Sequence, residues 1–203
     1  TACNSNFLEE LREKALEDKV PIIKRETESL LKTLLLLKKP KRILEVGAAV
    51  AYSSLVMAET LEGNVKISTI ENYEKRVLEA RKNIKDSHYS NIIHLIEEDA
   101  SKVLKELVEK EEKYDFIFMD AAKGQYINWL EPVIKLLNKE GVLCSDNVLQ
   151  GGDIVQSRYL IERRDRSIHS RLREYLYELT HREELSTTIL SLGDGVALTV
   201  LKK

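Results

Sequence analysis

Apolar positions change their period along this chain. Phe7, Leu8, Leu11, Ala15 and Leu16 recur at helical spacing, as do Leu30, Leu31, Leu34 and Leu35 within about 26–37. Both patterns predict amphipathic helices. Beyond residue 41, short apolar runs alternate with amphipathic segments. The runs at 42–46, 66–70, 92–96, 114–119 and 142–145 read as strands, and the segments at about 52–61, 74–85, 101–109 and 125–139 as helices. Such alternation predicts a mainly parallel sheet covered on both faces. A charged helix over about 162–180 then precedes strands at 186–191 and 196–202. Leu192-Gly193-Asp194-Gly195 between these strands is a hairpin signal. The expected fold is α/β: a doubly wound, mainly parallel seven-stranded sheet with N-terminal helices and a C-terminal antiparallel hairpin. A single domain, 1–203, is expected, with helices over 1–40 and an α/β core over 41–203.

Composition narrows the function only slightly. The 203 residues suit one full core. A net charge of -2 gives no global pull toward nucleic acid or membrane. Cys3 and Cys144 do not make a disulfide framework, which suits a reducing compartment. The first residues, Thr1 to Asn6, lack a basic region followed by an apolar stretch, and no apolar run approaches the roughly 20 residues of a membrane helix. A soluble cytoplasmic protein without a membrane partner is expected.

Two strands end in acids. Tyr114 to Met119 runs into Asp120-Ala121-Ala122-Lys123-Gly124, and Gly141 to Ser145 runs into Asp146-Asn147. An ionised carboxylate has no place inside a buried strand unless it is paired or binds metal. At the carboxyl end of a parallel strand it faces the crevice where open α/β sheets bind ligands. Asp120, Asp146 and Asn147 are hard oxygen ligands, so they are the candidate metal set, with Lys123 as a neighbouring base. The plainer alternatives are an Asx turn at Asp146-Asn147 and a solvated lysine at a helix start. A positive charge there is mildly unfavourable, which favours a functional Lys123.

The first βα turn is Ile43-Leu44-Glu45-Val46-Gly47-Ala48-Ala49-Val50-Ala51-Tyr52-Ser53-Ser54. Small residues before a helix N-terminus let backbone N–H groups approach a ligand. The G-x-G-x-x-G fingerprint is absent, which disfavours a pyrophosphate. The second strand ends at Glu71, placed to bind ribose hydroxyls, and Glu97-Glu98-Asp99-Ala100 closes the third, where an adenine would lie. Gly47 as a mere turn residue and Glu71 as a helix cap are the plainer readings of each alone. Their order along one βα pattern favours an adenosyl ligand.

These motifs together resemble the cation-dependent class I S-adenosylmethionine O-methyltransferases, the catechol and caffeoyl-CoA O-methyltransferase superfamily. The likeness runs from about Val20 to Lys202. It implies S-adenosylmethionine bound by Glu45, Gly47, Ala51, Ser53, Glu71, Asp99, Ala100 and Asp120. It also implies Mg2+, or another divalent cation such as Mn2+, on Asp120, Asp146 and Asn147. Lys123 and Asp120 are then the catalytic residues. Val20-Pro21-Ile22-Ile23 and Asp120 to Tyr126 are similar to the bacterial tRNA 5-hydroxyuridine methyltransferase group, which implies 5-methoxyuridine formation at the anticodon wobble position. A small catechol-like or phenolic acceptor is the alternative. The family usually has glycine where this chain has Ala51. The added methyl is expected to fit at negative φ, with some crowding of the methionine portion.

The implied chemistry is consistent with the residues. A hydroxyl attacks a sulfonium methyl poorly until deprotonated, and a divalent cation assists that. Vicinal oxygens, as in 5-hydroxyuridine or a catechol, suit octahedral Mg2+ with two carboxylates. A neighbouring cation favours the proton-accepting amine of Lys123. Tyr126 reads equally as core or substrate wall.

Between Arg158 and Arg173 lie Arg163, Arg164, Arg166 and Arg171, with Tyr159 and His169 interleaved and Glu162 and Asp165 opposed. Such a segment can hold RNA phosphates, which makes tRNA the expected partner, or be a solvated helix with weak ion pairs. Lys38, Lys39, Lys41 and Arg42 read as a solvated loop. The resemblance also implies a homodimer using the N-terminal helices. A nucleotide-binding oxidoreductase and a non-catalytic RNA-binding protein are the readings from other classes.

Overall fold

The computed structural model describes residues 4–149, 154, 162–163 and 165–202. These fall into two compact units, 1–103 and 104–203. The first unit begins with α1 (Asn6–Glu17) and α2 (Arg25–Lys38), followed by β1 (Arg42–Val46), α3 (Tyr52–Thr60), β2 (Lys66–Ile70), α4 (Glu74–Asp86) and β3 (Ile93–Ile96). The helix α5 (Ala100–Glu109) leads into β4 (Tyr114–Met119), a 3-10 turn at Lys123–Gln125, and α6 (Tyr126–Leu136). The chain then forms β5 (Leu137–Ser145), α7 (Arg166–His181), β6 (Leu185–Leu190) and β7 (Val196–Leu201). The strands make one sheet in the order β3-β2-β1-β4-β5-β7-β6. The expected seven-stranded α/β fold is therefore present. No helix among the described residues is long and apolar enough to cross a membrane.

In the first unit, β1 pairs with β2 and β2 with β3, both parallel. The helix α3 is buried from Tyr52 to Ala58, as expected of a helix without a polar face. It packs on α1 and α2. Ser5 caps α1 by accepting from Leu8 N–H at 3.4 Å. Lys39, in the left-handed region with φ 50, ends α2.

In the second unit, β4 pairs parallel with β5, and β7 pairs antiparallel with both β5 and β6. The expected hairpin is thus real. Two boundaries differ from expectation. Strand β5 starts at Leu137, inside the segment expected to be helical, because Leu137 pairs with Tyr114 ahead of an irregularity in the β4 register. Asn138 Nδ2 secures that step by donating to Asp115 Oδ1 at 2.7 Å. Helix α7 begins at Arg166 rather than near residue 162.

The β6–β7 connection is constrained by close approach. Gly195 has φ 88, and a Cβ there would lie 2.3–2.8 Å from the Leu149 side chain. Its carbonyl accepts from Val148 N–H at 2.9 Å, and the Asp194 carbonyl from Leu149 N–H at 3.0 Å. We predict that Gly195→Ala costs about 2 kcal/mol or more, from the left-handed backbone and the overlap combined. A thermal melt unchanged from wild type would refute this contact.

Candidate active site

The second unit brings its acids together through strand register. Asp146 N–H donates to Met119 O at 2.9 Å, extending the β4–β5 ladder one residue past both strands. Asp120 and Asp146 therefore leave adjacent strand ends at one level. Asn147 follows with φ 63, a left-handed conformation that asparagine tolerates better than most residues. Its Nδ2 donates to Asp120 Oδ1 at 2.9 Å, and its backbone N–H donates to Asp146 Oδ1 at 2.7 Å. The second contact reaches only the next residue and is not the expected Asx turn, because Val148 N–H, two residues beyond Asp146, donates to Gly195 O at 2.9 Å instead.

The electrostatics of this cluster disfavour two bare carboxylates. Asp146 is only 3% exposed. Burial, and then the Asp120 charge, push its carboxyl up to about 7, with Asp194 adding to the effect and Asn147 N–H and Lys123 opposing it. Two close carboxylates in a poorly solvated place repel each other unless protonated or neutralised. No group of three or more His, Cys, Asp or Glu side chains among the described residues is spaced to hold a metal. The set here is two carboxylates and one amide. That donor set fits Mg2+, which commonly takes one or two carboxylates and keeps other positions for water or substrate. The fit requires the Asn147 amide to turn and present its oxygen in place of the Nδ2 that now bonds Asp120.

Lys123 opens the 3-10 turn directly after this strand end. Three residues whose part here sequence reasoning did not foresee hold the arrangement. Tyr126 is fully buried. Its hydroxyl accepts from Ala121 N–H at 3.2 Å and reaches Met119 O at 3.2 Å and Asp146 O at 3.3 Å. Burial and the nearby Asp120 charge push this phenol well up, so it stays a neutral donor. Tyr175 lies 2.6 Å from Ser145 Oγ, just ahead of Asp146, and packs edge-on against Tyr126 with centroids 5.4 Å apart. Arg171 Nη1 donates to Gly124 O at 3.2 Å. Sequence reasoning read Tyr126 as core or substrate wall, placed Arg171 in the basic segment and did not single out Tyr175, because such contacts depend on which elements pack together.

The basic segment is only partly described. Arg158, Tyr159 and Arg164 lie outside the described residues. Arg163, Arg171 and Arg173 are exposed, whereas His169 is buried on the inner face of α7. His169 therefore does not belong to a basic outer face, contrary to expectation. Helical periodicity turns it inward with Leu172 and Leu176.

The first unit holds the glycine turn. Gly47 has φ 102, a conformation open essentially to glycine. Gly47 and Ala48 N–H groups both donate to Ile70 O, at 3.1 and 3.0 Å. Glu71 Oε2 accepts from Ala49 N–H at 2.9 Å, while Oε1 accepts from Asn72 and Tyr73 N–H groups at 3.0 Å. Glu71 is thus both a cap-like acceptor before α4 and a brace for the turn. Asp99 is exposed and accepts from Ser101 N–H at 2.9 Å, with Ala100 opening α5. Glu45 departs from expectation. It is fully buried beneath the turn, held by the hydroxyls of Ser53, Ser54 and Thr69. Burial raises its carboxyl against those bonds. It supports the turn from below, since a strand interior position cannot present its side chain at the strand's end.

Ala51 also departs from expectation. Its φ is 64, not negative, and its side chain is fully buried. The methyl group therefore strains the backbone rather than crowding an open ligand space. Alanine in this region costs about 1–2 kcal/mol. We predict that Ala51→Gly stabilises the protein by about 1 kcal/mol and shifts the melting temperature upward by roughly 2–4 °C. Calorimetric affinity for S-adenosylhomocysteine stays within about twofold in this variant, and a large affinity gain without stabilisation would restore the crowding idea.

A second prediction follows from Asp146. Its folded pKa lies above its ordinary value of 3.8, so the native state holds the proton longer than the unfolded chain. Stability then falls as pH rises from about 4 to 7 in metal-free protein. Asp146→Asn removes this penalty. In EDTA it should be more stable than wild type by roughly 2–4 kcal/mol at pH 8, with the gain shrinking toward pH 4. Denaturant titrations across this range check it, and parallel pH profiles for the two proteins would show that Asp146 carries no such penalty.

Comparison with known proteins agrees with this architecture. Residues 1–203 match the O-methyltransferase family. A flavonoid 3',5'-methyltransferase from Vitis vinifera is 32% identical over 172 residues, covering 81% of this chain and 72% of that protein. A Staphylococcus aureus structure assigned as a caffeoyl-CoA O-methyltransferase is 32% identical with TM-score 0.89, covering 98% of this chain and 93% of that one. The S-adenosylhomocysteine-bound methyltransferase PaMTH1 of Podospora anserina has 25% identity and TM-score 0.87, covering 98% and 89%. The chain belongs to the S-adenosylmethionine-dependent O-methyltransferases of the caffeoyl-CoA O-methyltransferase type.

Proposed function

We propose that this protein transfers the methyl group of S-adenosylmethionine to one of two vicinal oxygens in a divalent-cation-dependent reaction, and that its acceptor is 5-hydroxyuridine at the tRNA wobble position. The observation that carries the cation-dependent part is the meeting of Asp120, Asp146 and Asn147 at two paired strand ends. The turn at Gly47–Ala51 with Glu71 would hold the donor, with Asp99 and Ala100 at its adenine end.

Asp120, Asp146 and Asn147 would hold the cation, Mg2+ or Mn2+. When bound there, such a cation lowers the acceptor hydroxyl's pKa and fixes its position. Tyr126 keeps Met119 and Asp146 carbonyls in place, so the acids keep their spacing. Lys123 accepts the hydroxyl proton on Nζ. The acceptor oxygen then forms the O–CH3 bond as the sulfonium S–CH3 bond breaks, leaving neutral S-adenosylhomocysteine. The oxygen must lie in line with the breaking bond, which is a positioning task for the site.

The tRNA acceptor is supported by the exposed Arg163, Arg171 and Arg173, of which Arg171 sits on the Gly124 carbonyl beside Lys123. Arginines there can grip phosphates flanking a splayed-out base. The flavonoid-methylating relative favours a small phenolic acceptor as the second reading. The homodimer expected from the family would use the N-terminal helices, where Phe7, Leu16, Leu36 and Leu37 are exposed.

The test is methylation of tRNA from cells lacking the protein, read by nucleoside mass spectrometry. We expect 5-methoxyuridine to form with Mg2+ and not in EDTA. Asp146→Ala should form none while still binding S-adenosylhomocysteine. Methylation of a catechol but not of tRNA would transfer the assignment to the small phenol, and full activity in EDTA would remove the metal from the mechanism.

A further inference from the structure

A buried ionic cluster in the first unit converges on the residue that opens α3. Glu28, on α2, is 3% exposed. Its Oε2 accepts from the Tyr52 hydroxyl at 2.7 Å. Its Oε1 accepts from Asn4 Nδ2 at 2.9 Å and from Lys32 Nζ at 3.0 Å. Asn4 Nδ2 also reaches the Tyr52 hydroxyl at 3.3 Å. Arg12, on α1, places Nη1 at 3.6 Å from Glu28 Oε2 and its guanidinium 5.6 Å from the Tyr52 ring centroid. The same guanidinium donates to Ile23 O at 3.0 Å, in the segment before α2. Arg25 bonds Glu9 and lies 3.4 Å from Glu28. Burial works against the Glu28 carboxylate, but these donors outweigh it and hold its pKa below the ordinary value.

An apolar contact would join α1, α2 and α3 at lower desolvation cost than this cluster. What a charge-assisted hydrogen bond adds is a defined position. The positioned group is informative. Tyr52 is the first residue of α3 and directly follows Ala51, whose left-handed backbone costs energy. A strained turn keeps its conformation only when its surroundings over-determine it. On the carboxyl side of the turn, the Tyr52 side chain supplies that restraint.

We propose that Glu28 is a positioning residue for the methyl donor. Through the Tyr52 hydroxyl it holds residues 47–51 and the start of α3 in the donor-binding conformation, which makes α1 and α2 energetically part of the donor site. This rests on reading that turn as the donor site. Coupling of this kind is reciprocal, so donor binding tightens the Asn4–Glu28 cluster in return.

Tyr52→Phe removes one oxygen and leaves the ring, the Arg12 contact and the other partners of Glu28. Calorimetric titration with S-adenosylhomocysteine should show Kd raised about fivefold or more. KM for S-adenosylmethionine should rise with kcat little changed. In wild type, S-adenosylhomocysteine should slow hydrogen exchange of α1 and α2 amides, and in Tyr52→Phe it should do so less. Glu28→Gln keeps an acceptor for the phenol and should recover most of the affinity lost in Glu28→Ala. Thr187→Val, on β6, serves as control. It removes bonds to Leu179 O and Thr199 Oγ1 and should lower the melting temperature with Kd unchanged. Wild-type affinity in Tyr52→Phe would overturn the positioning role alone. Equal losses in Tyr52→Phe and Thr187→Val would reduce it to general destabilisation. Failure of wild type to bind S-adenosylhomocysteine would overturn the donor-site reading and this proposal with it.

Discussion

Parallel ladders that continue one residue beyond their strands set the positions of the chemical groups in this protein. Gly47 and Ala48 bond to the last carbonyl of β2, Glu71 to the last carbonyl of β3, and Asp146 to the last carbonyl of β4. These three extensions lie at the carboxyl ends of their strands. Each residue just past the ladder therefore inherits a backbone position fixed by its neighbour, with its side chain beyond the strand interior. Glu71 and Asp146 can carry acids because of this, and Gly47 can adopt a backbone that no other residue tolerates well.

Three buried or nearly buried carboxylates show three ways of meeting the cost of desolvation. Glu28 is surrounded by Arg12, Arg25 and Lys32 and by the phenol of Tyr52, and its charge is favoured. Glu45 has hydroxyl partners only, one of its oxygens has no hydrogen-bond partner, and its charge is disfavoured. Asp146 faces the charges of Asp120 and Asp194, opposed by Lys123, and its carboxyl is pushed to about 7. The first two solutions close within the fold. The third leaves like charges facing each other at two strand ends, the physical mark that separates a candidate binding acid from a structural one.

The elements themselves were legible because their period was strong. Strands β1, β2 and β4 begin and end where the apolar runs do, since a buried parallel strand is a nearly unbroken apolar run. The start of β5 was hidden because Leu136 and Leu137 are both apolar, and only the pairing of Leu137 with Tyr114 separates helix from strand. The glycine turn, Glu71 and the acids at 120 and 146 were legible as interruptions of pattern. The role of Tyr126 was not, because a buried tyrosine at a helix start looks the same whether its hydroxyl is idle or holds two strand ends.

The sequence alone thus determined the α/β class, the strand-end acids and the likeness to an O-methyltransferase, all of which follow from local pattern. Tertiary structure decided the rest. It put Ala51 at positive φ, sank Glu45 beneath the turn, turned His169 inward and gathered Asn4, Arg12, Lys32 and Tyr52 around Glu28. These residues are far apart in sequence, and a hydrogen bond between distant residues leaves no periodic trace in the chain.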